Sequence, residues 1–238
     1  MIVYLPKLSV PGFTLPGMEP TPNVSRWVDQ LDDMAVRVTD ALLREGAGVQ
    51  PPTVHVLVDA LDQPYVGYVR CRPFYRGRDA HAAVATMGLF ASQLGASRVV
   101  VTYEHADMAL GWEDSDADEA PTGIVVVDAG RDEHTVRWHP MVMTLATAVS
   151  PSEVGPGAAG ASAVEACWGP PDRYPGGELP VAVAQLLAVW REPRAWSEPE
   201  FLSVYARWQQ SGYDVRWAPR PDGEPRQPGW MRLLAPVM

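Results

Sequence analysis

Glu104, His105 and Asp107 fall within one four-residue stretch, separated by two residues from the valine run Val99-Val100-Val101. Two carboxylates and an imidazole at that spacing can share a metal ion or divide acid and base duty. Ligands of open α/β sheets also collect beyond the carboxyl ends of strands. His139, at the end of a later strand, would complete the set with Asp59 or His55. The chemistry would then be metal-assisted hydrolysis, of the hydrolase or nuclease kind. The competing reading is local: the same groups cap the helical turn Met108–Trp112 and bond to nearby backbone. No His-Glu-x-x-His or comparable ligand spacing is present, so no metal site and no cofactor is assigned.

Other chemistries are poorly supplied. Lys7 is the one lysine, so the 19 basic residues comprise 18 arginines (19 − 1). A phosphate loop ending in Lys, a Schiff-base lysine and a lysine general base are therefore excluded from the folded body. There is no Gly-x-Ser-x-Gly elbow, Ser92 lies inside a helical pattern, and Ser97 precedes a strand without the sharp turn. Cys71 alternates onto an apolar face, and Cys167 has no neighbouring cue for activation, so both are read as reduced structural thiols. Asp114, Asp116 and Asp118 open like a calcium loop, but Glu119 stands where the glycine belongs and Val125 where the bidentate glutamate belongs. Gly155-Pro156-Gly157-Ala158-Ala159-Gly160 lacks the strand and helix that flank a nucleotide loop and reads as linker.

The elements that position these residues follow from hydrophobic periodicity. Residues 1–22 carry Pro6, Pro11, Pro16, Pro20 and Pro22 among Ile2, Leu5, Phe13 and other apolar residues, which predicts an extended arm lying in a groove. A helix is predicted near 25–45, with Trp27, Leu31, Met34, Val38, Ala41 and Leu42 inward and Gly46 as its stop. Thr53–Ala60 and Tyr65–Arg72 read as strands. A helix from Asp79 to about Leu94 then leads to the strand Arg98–Glu104, and the three together predict a parallel crossover. Gly123–Asp128 and His134–His139 form a hairpin. Helices are expected over Pro180–Arg191 and Ser197–Gln210, the second opened by the capping box Ser197…Glu200, and Tyr213–Trp217 is a short strand.

The fold class expected is α/β (α+β): a mixed five-stranded sheet with packed helices and a C-terminal helical extension. The expected parts are the arm over 1–22, a mixed domain over 23–145, a Pro/Gly-rich linker over 146–178, and a Trp-rich helical tail over 179–238 packed on that domain. Val136-Arg137-Trp138-His139-Pro140 is echoed by Val215-Arg216-Trp217-Ala218-Pro219, read as two similar edge strands.

Hydrophobic residues make up 47% of the 238, enough for a sizeable core, and no apolar run approaches a membrane span. The net charge of −10 opposes general nucleic-acid binding, which depends on neutralising phosphates. With no secretory leader pattern, a cytoplasmic protein is expected. Six of the nine tryptophans follow residue 167. Trp190 and Trp208 fit a helix-pair core, whereas Trp168, Trp196 and Trp230 lie among prolines and, with Phe13, are the candidate binding residues.

The block Gly95-Ala96-Ser97-Arg98-Val99-Val100-Val101-Thr102-Tyr103-Glu104-His105, with the acidic loop and Val-rich hairpin after it, resembles uncharacterised hypothetical proteins of GC-rich bacteria and their phages over roughly a third of the chain. That resemblance implies no activity and transfers no residue role. The leading functional expectation is non-enzymatic: a protein–protein interaction or assembly component with a protein partner or self-association. The alternatives are the metal-assisted hydrolase above and a small-ligand sensor with a pocket between sheet and tail.

Overall fold

The computed structural model describes residues 24–61, 63–75, 77–110, 121–145 and 164–219. The arm with Phe13, the acidic stretch 113–119, the Gly-rich linker stretch, Trp230 and the side chain of Asp107 lie outside the described residues.

Helix α1 (Val24–Arg44) buries Trp27, Val28, Leu31, Ala35, Thr39 and Leu43, from Leu31 onward one residue per turn, and Gly46 ends it at φ 69°. The buried stripe is narrower than the periodicity implied. Met34, Val38 and Leu42 are half-buried and Ala41 is exposed, because α1 rests on a sheet and not within a helix layer. Strands β1 (Thr53–Leu57) and β2 (Tyr65–Arg70) pair antiparallel with a bulge at Val56/Leu57. The bulge re-aims the start of β2, so Tyr65 sits opposite Leu57 on the α1 side while Val66 joins the opposite core. The helix expected over 79–94 is α2 (Arg78–Thr86) and α3 (Gly88–Gln93), interrupted at Met87. Asp79 does not cap it. Its carboxylate accepts from the Tyr75 N–H and pairs with Arg72.

Strand β3 (Arg98–Glu104) runs into α4 (His105–Leu110), then β4 (Gly123–Ala129) and β5 (His134–Leu145). Two further strands, β6 (Val164–Trp168) and β7 (Asp172–Pro175), return along the outer side of β5. Helices α5 (Val181–Arg191) and α6 (Glu198–Ser211) and strand β8 (Asp214–Trp217) follow. In α6 the Glu200 carboxylate accepts from the Ser197 N–H at 2.9 Å, closing the expected capping box.

The sheet has eight strands in the order β6-β5-β4-β3-β1-β2-β8, with β7 beside β5. Every ladder among the described residues is antiparallel. The expected mixed five-stranded sheet is thus corrected on both counts. The extra strands come from 164–175 and 214–217. The crossover exists in a split form: β2 and β3 point the same way because each pairs antiparallel with β1 between them. The echo of Val136–Pro140 in Val215–Pro219 does not mark two edges: β8 closes the sheet, while β5 has neighbours on both sides.

The two faces differ in chemistry. One is apolar, with Val54, Val56, Val69, Val99, Val101, Val125 and Val127 packed beneath Val84, Met87, Phe90, Val183, Leu186 and Trp190. The other, under α1, mixes Leu57, Val100, Ile124 and Val126 with polar groups. Gly88 lets α3 and α5 touch, since a Cβ there would lie 2.2 Å from the Leu186 carbonyl oxygen. Among the described residues no helix is long and apolar enough to cross a membrane.

Trp190 is fully buried and donates its indole N–H to the Ala96 carbonyl at 3.2 Å. The Arg131 guanidinium lies 5.0 Å from its ring, and Arg191 reaches back to the Gly130 carbonyl at 2.9 Å. Residues far apart in the chain therefore share one core. Trp190→Ala is expected to cost about 4 kcal/mol. Urea unfolding followed by circular dichroism should show one transition shifted as a whole, not loss of a separate tail.

Candidate functional site

The structure does not gather Glu104, His105 and His139, the described side chains among those singled out for catalysis. Glu104 pairs across to Ile124, and Ile124 pairs across to His139. All three share the α1 face, with two strand spacings of about 4.8 Å between the Glu104 and His139 backbones and Ile124 between them. Glu104 is buried, and its Oε1 accepts the Gly123 N–H at 3.2 Å. His105 is on the opposite side of the sheet, edge-on to Trp138 with ring centroids 5.4 Å apart. Among the described residues, no three His, Cys, Asp or Glu side chains are placed to hold a metal ion.

His139 has a different partner. Its Nε2 lies 2.8 Å from Asp32 on α1, and Arg137 donates to Asp32 and to Asp29 at 2.9 Å each. Burial alone would raise the Asp32 pKa, but hydrogen bonds from His139 and Arg137 outweigh it and hold the carboxyl below its ordinary value. This network pins α1 to β5. Asp32 reads in the sequence as part of the helix's polar side, and nothing in its spacing reveals a partner more than one hundred residues away.

Deeper under α1, polar groups are left without partners. The hydroxyls of Thr39 and Thr102 are buried with no hydrogen bond, beside a narrow gap lined also by Ala35, Gln50 and Ile124 that has no room for a water molecule. His55 is enclosed between Tyr65 and Tyr68, with Nδ1 3.0 Å from the Tyr65 hydroxyl and Nε2 unpaired. Burial, helped by the charge of Arg70, pushes its pKa down from 6.5 to about 3. These groups are sealed from solvent and present no surface to a substrate. The gap lies between sheet and α1, whereas the sensor reading places its pocket between sheet and tail.

The tryptophans are partly covered. Trp168 ends β6 opposite Met141 and packs against the α1 cluster, its buried indole N–H without an acceptor. Trp196 is half-buried and donates to the Ser92 hydroxyl at 3.3 Å. The exposed apolar surface lies next to Trp168. Val142 is 65% and Met143 42% exposed, on the part of β5 that extends past β4 and, among the described residues, pairs only with β6. Cys167, opposite Val142, is exposed and free. Sequence reasoning assigned 164–168 to a linker. The available signal was the alternation Val164-Glu165-Ala166-Cys167-Trp168, which has the period of a strand.

The acid response follows from His55 and Asp32. A histidine with a folded pKa below its unfolded value opposes proton uptake, so its contribution is intact above pH 6.5 and is lost as pH falls from 6.5 toward about 3. Asp32, lowered from 3.8, contributes above that value and loses its share below it. Urea titrations between pH 7 and 4.5 are expected to show stability falling by up to about 1.4 kcal/mol per pH unit. His55→Phe should flatten that slope; an unchanged slope would assign the proton elsewhere.

No protein-family model, curated protein or solved structure matches this chain.

Proposed function

We propose that the chain is a protein-interaction or assembly component whose contact surface is the apolar extension made by the far end of β5 and by β6. The observation that carries this reading is an unpaired strand edge beside exposed apolar side chains. Among the described residues the outer side of β6 has no strand partner, and Val142, Met143 and Cys167 are open next to it. Exposed strand edges of apolar composition recruit further chains, and natural proteins block those not meant to do so. The other edge segments are blocked. Strand β7 carries Asp172, Arg173 and Pro175, and β8 is four residues long with Asp214 and Arg216. Strand β6 has a single charge, Glu165, and no proline.

The net charge of −10 favours a protein partner over nucleic acid. The two unpaired cysteines suit a reducing, cytoplasmic setting. The separation of Glu104 from His139 and the burial of Glu104 argue against hydrolysis at that position.

Tagged chain in extract of its own cells is expected to migrate well above its 26.0 kDa monomer mass on size-exclusion chromatography. Val142→Glu combined with Met143→Glu should return it to monomer size with little change in Tm, because both side chains are already exposed. Monomeric migration of the unaltered chain would overturn the reading.

A further inference from the structure

We infer that the partner at β6 is a second copy of this chain, joined by antiparallel β6–β6 pairing about a two-fold axis through Ala166. This rests on the interaction reading above and adds the identity of the partner and the register.

The backbone dictates which residues pair. In an antiparallel ladder, alternate residues turn both N–H and C=O to one neighbour. The Gly169 N–H bonds to the Pro140 carbonyl at 2.9 Å, so Gly169, Cys167 and Glu165 face β5. Val164, Ala166 and Trp168 therefore point their backbone groups outward. A two-fold axis normal to the sheet keeps each residue on its own face, so only residues of the same parity can pair. Three registers put β6 against itself. An axis through Glu165 sets two carboxylates directly opposite, which is unfavourable. An axis through Cys167 engages only Ala166 and Trp168 among the outward residues, and brings in Pro170, which has no N–H to give. An axis through Ala166 pairs Val164 with the partner's Trp168 and Ala166 with the partner's Ala166, and satisfies all three outward residues of each copy.

The side chains agree with that register. Glu165 falls opposite the partner's Cys167, so the carboxylates are staggered. On the α1-side face, Met143 stands beside Ala166, and the small alanines at the axis leave room for Met143 of both copies to close over them. Next to that row, Met141 and Trp168 continue into the partner's Val164. Pairing β6 with the partner's β8 instead would be head-to-tail and leave an edge open at each end of the assembly. The contact is short, below the area of a standard stable interface, so dissociation in the micromolar range or weaker is expected.

The purified full chain is tested by sedimentation velocity over about 1 to 200 μM, concentrations chosen to bracket a weak interface. A monomer–dimer equilibrium is expected. Ala166→Pro removes an outward N–H and spares the ladder to β5, so it should weaken association at least tenfold while Tm stays near that of the parent. Val164→Lys should weaken it as well, which keeps the test decisive if the proline variant folds badly. Cys167 supplies the register. Cys71 is buried with its thiol pushed up to about 12, so a maleimide reports on Cys167. Diagonal Cys167 residues, about 7–8 Å apart, should be linked readily by a short bismaleimide and not by direct oxidation. Rapid disulfide formation would overturn the Ala166 axis. Association undiminished in both variants would overturn pairing through β6. A monomer at every concentration, with Cys167 unlinked, would overturn self-pairing. If the complex in extract still depended on Val142 and Met143, the broader interaction reading would survive with a different partner.

Discussion

The ladder between β1 and β3 governs how this molecule is built. It joins Thr53 to Thr102 and Leu57 to Arg98, and it places β1 between two strands that run the same way. All five residues of β1 are buried, so both sides of the sheet need cover at this point. The chain covers them differently. On one side, valines meet α2, α3 and α5 in a dry core, where burial of apolar area is the driving force. On the other, a single helix lies over a face that also carries Thr53, His55, Thr102 and Glu104, and the bonds of Asp32 to Arg137 and His139 add to its apolar contacts. Removing Arg137 would take away the one guanidinium that bonds both Asp29 and Asp32, which makes this network costly to break at that residue.

What the sequence disclosed divides along the same line. Local signals were legible: the stripe of α1, the Val-rich strands, the Ser197–Glu200 cap and the stop at Gly46 all act within a few residues. Burial of Trp190 and Trp208 was legible from helical spacing. Pairing was not. Nothing local to Arg98–Glu104 tells that it joins β1 rather than β2, because the choice is made by helices packing over the sheet. Strand β6 was hidden by its proline- and glycine-rich surroundings, whose composition outweighed a five-residue alternation. The bulge at Val56/Leu57 leaves no mark in residue type, yet it decides which side Tyr65 and Val66 occupy.

The candidate site shows the same limit. Glu104, His105 and His139 look like a set on paper because they are the reactive types near strand ends. A strand turns neighbouring residues to opposite sides, and here His105 and His139 end up with the sheet between them. The surface that stands out instead is defined by what it lacks. Charges and Pro175 guard β7, and β8 carries Asp214 and Arg216 in four residues, whereas β6 has one charge, Glu165, and no proline. Such a contrast within one sheet is informative in a way that no single exposed valine would be, since scattered apolar residues are common on any protein surface.

The placement of α5 has a consequence for synthesis. Val183, Leu186, Leu187 and Trp190 roof valines from strands completed some sixty residues earlier. A nascent chain leaving the ribosome therefore carries a greasy plane roofed by α2 and α3 alone until residue 191 has cleared the exit tunnel, and helpers that shield unfinished polypeptides would have their longest engagement in that interval. A stop codon anywhere between β5 and α5 would make that temporary exposure permanent, so the truncated product should be insoluble rather than merely inactive.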